Sequence, residues 1–79
     1  MSVVINDILA VIQEAKVVDN PNNLRSDIKL SEQGIDSLGI FNVLFLLDEK
    51  YSIEIPDTDI DHLTTIDAIV AYMNKRLNS

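Results

Sequence analysis

Apolar residues recur at helical spacing in three separate stretches of this chain, while only one short stretch alternates as a strand would. Ile5, Ile8, Leu9 and Ile12 fall at i, i+3, i+4 and i+7, and Ala15 continues the stripe, which predicts an amphipathic helix over about residues 3–17. A second helical run starts at Asp36 or Ser37, where the Asp can cap free backbone N–H groups, and reaches about Lys50. A third carries Ile66, Ile69, Val70, Met73 and Leu77. Thr64, followed three residues later by Asp67, resembles a capping box, and Lys75 and Arg76 suit its negative end. The alternating stretch Tyr51–Ile55 stands alone, and a lone strand leaves its backbone unsatisfied, so it reads as an extended loop. After it, Pro56 and Asp57-Thr58-Asp59 mark a new start, with Ile60 and Leu63 seating one short helical turn. The connection from Val18 to Asp36 is long and turn-rich, pinned to the core by Leu24, Ile28, Leu30 and Ile35. The expected fold is all-α: a four-helix bundle with three longer helices, one short helix and a long loop between the first and second, in a single domain over residues 1–79.

A chain of 79 residues leaves little room for a deep catalytic cleft. With no cysteine it has no disulfide, no thiolate metal site and no side-chain thiol for acyl transfer, so any thiol chemistry must be attached. Thirteen acidic against six basic residues give a formal charge of −7, which argues against nucleic acid and favours partners with basic surfaces. The apolar patch Val3-Val4-Ile5 lacks a basic flank and is interrupted by Asn6 and Asp7; no apolar run approaches bilayer length. The expectation is a cytoplasmic monomer without membrane insertion.

The second helix carries too much apolar surface. From Leu38 to Leu47 eight of ten residues are apolar, and no polar face remains. Val43, Leu46 and Leu47 can line a core together with Ile40. Leu38, Phe41 and Phe45, at i, i+3 and i+7, share a neighbouring face that is either wrapped by the bundle or left for a partner; solvent exposure decides between the two.

Ser37 has two readings. As a nucleophile it needs a base, but the single histidine, His62, reads as a surface residue and no Gly-rich oxyanion loop is present. The carboxylates Asp57, Asp59 and Asp61 lack the Gly and the twelfth-position Glu of a calcium loop and read as a solvated acidic face, so neither a catalytic nor a metal site is expected. As an attachment point, Ser37 sits in the first turn of a helix, where free N–H groups and the dipole favour an anion such as a phosphodiester. Position alone does not separate this from an ordinary first-turn serine.

The run Gly34-Ile35-Asp36-Ser37-Leu38 resembles the phosphopantetheine attachment motif of acyl carrier proteins. The resemblance continues through Leu47-Asp48-Glu49-Lys50-Tyr51, Ile53-Glu54-Ile55-Pro56-Asp57 and Leu63-Thr64-Thr65-Ile66, in family order, and covers nearly the whole chain. It implies a four-helix bundle on which a phosphopantetheinyl transferase, with magnesium present, moves 4′-phosphopantetheine from coenzyme A to Ser37, with Asp36 aiding transfer. It implies a carrier and not an enzyme, holding acyl groups as thioesters for loading, condensing or acyltransferase partners. The second helix would be the recognition surface, through Leu38, Phe41, Phe45, Asp48 and Glu49. The sequence departs from carriers of fatty acid synthesis just after the serine, where Gly39, Ile40, Phe41 and Asn42 stand in place of interspersed acids. That departure points to a specialised secondary-metabolite or lipid-modification pathway. Gly39 costs about 1 kcal/mol of helix propensity relative to Ala, so a local packing or close-approach reason is expected there. Two alternatives stay open: a free-standing aminoacyl or peptidyl carrier, and a helical adaptor that never receives the arm.

Overall fold

The computed structural model describes residues 2–78; Met1 and Ser79, the ends of the expected domain, lie outside the described residues. Among the described residues four α-helices follow one another: α1 (Ile5–Ala15), α2 (Ser37–Tyr51), α3 (Asp57–Ile60) and α4 (Ile66–Leu77). Among the described residues there is no strand. α1 packs against both α2 and α4, whereas α3 makes no extensive contact with any helix. The all-α architecture, the short third helix and the long first connection are as the sequence predicts.

α1 begins two residues later than its apolar pattern implies. Val3 is extended and buried because Asn74 of α4 clasps its backbone: the Val3 N–H donates to Asn74 Oδ1 (2.6 Å) and the Val3 carbonyl accepts from Asn74 Nδ2 (2.9 Å). Val4 then caps the helix, its N–H donating to Asp7 Oδ2 (3.0 Å). Ile5, expected on the core face, is exposed, and Val11 joins Ile8 and Ile12 in the core instead.

The long connection is ordered, though not mainly by the four apolar anchors expected. Leu30 and Ile35 are buried and Leu24 is half-buried, but Ile28 points to solvent. Order around Ile28 comes from hydrogen bonds. Gln33 folds back so that its Oε1 accepts from the Arg25 N–H (2.6 Å) while its Nε2 donates to the carbonyls of Arg25 (2.9 Å) and Ile28 (2.8 Å). Short 3₁₀ turns at Pro21–Asn23 and Leu30–Gln33 take up most of the remaining slack. Two backbone bonds tie the connection to the far end of the chain, from Leu30 N–H to the Thr64 carbonyl (2.8 Å) and from Asp67 N–H to the Ser26 carbonyl (3.0 Å).

That first tie also explains a shifted cap. The capping residue of α4 is Thr65, not Thr64: its Oγ1 accepts from the Ala68 N–H (3.0 Å). The carbonyl of Thr64 is engaged by the loop, and Thr65 has the extended backbone a cap requires. Removing the Gln33 clasp should cost about 1–2 kcal/mol, the net worth of a few partly exposed hydrogen bonds. Urea denaturation of Gln33→Ala is expected to show that loss with an unchanged denaturant slope.

Candidate functional site

Ser37 is the first residue of α2 and is exposed. Its placement is built from the residues on either side. Gly34 ends the Leu30–Gln33 turn in the left-handed region (φ 94°), so the chain reverses before the helix. Ile35 then drops into the core, and Asp36 caps α2, its Oδ1 accepting from the Gly39 N–H at 2.9 Å.

Gly39 is the close approach anticipated from its cost in a helix. A Cβ built there would lie 2.9 Å from Ile35 Cγ2, 3.1 Å from Val17 Cγ1 and 3.3 Å from Asp36 Oδ1. Two β-branched side chains and the capping carboxylate therefore converge on the space a side chain would fill. The missing Cβ lets the loop and the segment after α1 press against the first turn of α2, which fixes where Ser37 emerges.

Ser37 also stands at the rim of a groove of about 210 Å³, bounded by Ile40 and Phe41 of α2, Ile60 and Asp61 at the end of α3, and Leu63 and Thr64 beyond it. Phe41 and Ile60 are shared with a second depression of about 160 Å³, which continues along α2 past Leu44, Phe45 and Asp48 to Ile55 and Asp57. The walls are mostly hydrocarbon.

The two expected faces of α2 separate cleanly. Leu38, Phe41 and Phe45 are exposed, at 73%, 47% and 60%, so the bundle does not wrap them. On the inner face Val43 and Leu47 are buried as expected, but Leu44 completes the core where Leu46 was expected; Leu46 and Ile40 are half-buried. The two acids flank the far end of the exposed face, Asp48 beside the groove with Phe45 and Glu49 beside Leu46 and Lys50.

Asp48 has a perturbed titration. Partial burial raises its pKa, with the Ile55 backbone pulling it back down, and its Oδ1 is enclosed without a hydrogen-bond partner. Sequence reasoning did not single out Ile60, Leu63 and Thr64 as neighbours of Ser37; their distance along the chain hid them. His62 is exposed. Asp59, expected to be solvated, instead accepts a hydrogen bond from the Tyr72 hydroxyl (2.7 Å).

An exposed serine thus opens a capped helix beside an apolar groove on a small acidic bundle. The sequence matches the family described as phosphopantetheine attachment site over residues 6–73. It is 36% identical over 73 residues to the acyl carrier protein of Campylobacter curvus, covering 91% of this chain and 94% of that one. It is 34% identical over 71 residues to that of Wolinella succinogenes, covering 89% and 92%. A putative mitochondrial acyl carrier protein of Schizosaccharomyces pombe is 33% identical over 64 residues, 81% of this chain and 53% of that protein. The chain belongs to the acyl carrier protein family, whose members hold 4′-phosphopantetheine covalently and act as carriers, not catalysts.

The junction at Gly39 yields a prediction with two opposed contributions. Gly39→Ala gains about 1 kcal/mol of helix propensity and incurs about 1–3 kcal/mol of overpacking against Ile35 and Val17. The expected net result is a lower melting temperature, read by circular dichroism, although the substitution adds a helix former to a helix.

Proposed function

We propose that Ser37 is the residue that receives the arm, and that the holo-protein presents acyl thioesters to enzymes of a specialised biosynthetic pathway. The observation that carries the assignment is the exposed Ser37 hydroxyl on the first turn of a capped helix, inside the family match and at the rim of an apolar groove. In the transfer, Ser37 Oγ gives its proton to a base of the transferase and forms a bond to phosphorus as the pyrophosphate link of coenzyme A breaks and adenosine 3′,5′-bisphosphate leaves. The resulting phosphodiester lies at the positive end of α2, where its charge is favoured. Asp36 serves the transfer by fixing the first turn, since its carboxylate is held on the Gly39 N–H. The arm then supplies the thiol that the cysteine-free chain lacks. We set this activity in the cytoplasm, with the carrier as a single-domain monomer.

The groove beside Ser37 supports acyl cargo, because its walls are mostly hydrocarbon. The specialised pathway is supported by α2 itself. Between Ser37 and Leu47 it has no acid, and Leu38, Phe41 and Phe45 face solvent. Docking on such a face draws on apolar burial, with Asp48 and Glu49 setting orientation at one end.

Two measurements check this reading. Incubated with coenzyme A and a broad-specificity phosphopantetheinyl transferase, the protein should gain about 340 Da in intact mass, the size of the phosphopantetheine group, and Ser37→Ala should gain nothing while remaining folded. A helical adaptor would keep its function in the Ser37→Ala protein. The holo-protein should also bind a housekeeping ketosynthase and malonyl transferase about tenfold more weakly than their usual carrier does, with a shallow dependence on salt. Equal affinity for both enzymes would remove the case for a specialised pathway.

A further inference from the structure

α3 forms one wall of the groove beside Ser37, yet its own apolar hold on the core is confined to the half-buried Ile60. It is four residues long, none of them is buried, and it packs extensively on no helix. Two side chains of α4 grip the segment that contains it. The Tyr72 hydroxyl donates to Asp59 Oδ2 within α3 at 2.7 Å, and the same hydroxyl accepts from Arg76 Nη1 at 2.8 Å. Arg76 Nη2 donates to the Glu54 carbonyl at 2.9 Å, just ahead of α3, and its guanidinium lies over the Tyr72 ring, 5.6 Å from the centroid. The segment from Glu54 to Asp59 is thus fastened at both ends to one turn of α4. Tyr72 is half-buried, and its hydroxyl stands between a cation and a carboxylate, where charge-assisted bonds are strong.

We infer that Tyr72 and Arg76 form a latch that holds α3 against the bundle, so that the latch, and not apolar packing of α3, sets how readily the groove beside Ser37 opens. The inference rests on the carrier reading only for its consequence; the latch itself belongs to the unmodified protein. An element with few buried contacts opens locally at small cost, and one polar tie can dominate that cost. Opening swings Ile60 away from Phe41 and exposes both depressions, so a chain tethered at Ser37 would lose that wall. Tyr72 is a positioning residue in this scheme, acting through Asp59.

Hydrogen exchange on the unmodified protein tests the latch without the arm. Tyr72→Phe keeps the ring over which Arg76 lies and removes only the hydroxyl. It is expected to speed exchange of the amides of Asp59, His62 and Leu63, which bond within and just after α3, by about tenfold, while the amides of α1 and the middle of α4 stay within twofold. Asp59→Asn, which keeps an acceptor oxygen, should fall between Tyr72→Phe and the wild type. Unchanged exchange in Tyr72→Phe, or acceleration spread evenly over all four helices, overturns the latch. The consequence is read on protein loaded with an octanoyl arm, where Tyr72→Phe should shorten the lifetime of the thioester toward hydroxylamine several-fold. An equal lifetime with faster α3 exchange would overturn the link between latch and groove. Failure to load at all would count against the carrier reading and leave the exchange result standing.

Discussion

The missing side chain at position 39 holds the site in place. Ile35, Val17 and the Asp36 carboxylate all converge on the space where a Cβ would be, and the first turn of α2 is drawn against the loop because that space is open. Ser37 lies two residues away, on the solvent side of the same turn. The glycine costs helix propensity, and the convergence it permits offsets that cost with packing and with the cap on its own N–H. The reversal at Gly34 and the ties from Leu30 to Thr64 and from Ser26 to Asp67 deliver the loop to this junction.

From that fixed end α2 runs outward with two apolar faces of different destiny. Val43, Leu44 and Leu47 meet the core, each contributing roughly 1.5–3 kcal/mol by burial. Leu38, Phe41 and Phe45 are left in water, an arrangement that stability alone does not favour in so small a bundle. Phe41 belongs to both worlds, forming part of the exposed face and part of the groove that starts at Ser37. The proposed attachment point, a candidate cargo surface and a candidate docking surface are thereby gathered on a single helix. α1 and the body of α4 supply its support, while α3 is held as a thin outer wall.

Much of this was legible in the order of residues. The stripes of α1 and α4 are spaced for helices, and the solitary alternation of Tyr51–Ile55 could not become a strand without a partner. Asp36 declared itself as a cap and Gly39 as a close approach. What escaped was of two kinds. Where eight of ten residues are apolar, several overlapping faces fit a helical period equally well, so the choice of Leu44 over Leu46 was set by the neighbours α2 meets. Likewise Val3, clasped by Asn74, could not be distinguished from the first residue of α1, and Ile5 was turned outward as a result. The second kind depends on contacts between residues distant in the chain: the Gln33 clasp, the shift of the α4 cap from Thr64 to Thr65, and the return of Ile60, Leu63 and Thr64 to the side of Ser37. No local pattern encodes those meetings.

The most direct measurement of the central claim, that this junction presents Ser37 as a ready attachment point on an unmoved bundle, is a comparison of amide ¹H–¹⁵N spectra before and after loading with phosphopantetheine. The account predicts changes at residues 36–40 and along the groove rim at 60–64, with the amides of α1 and the last two turns of α4 in place. Changes centred on Ser26, Ser31 or Ser52, or spread through α1 and α4, would contradict it.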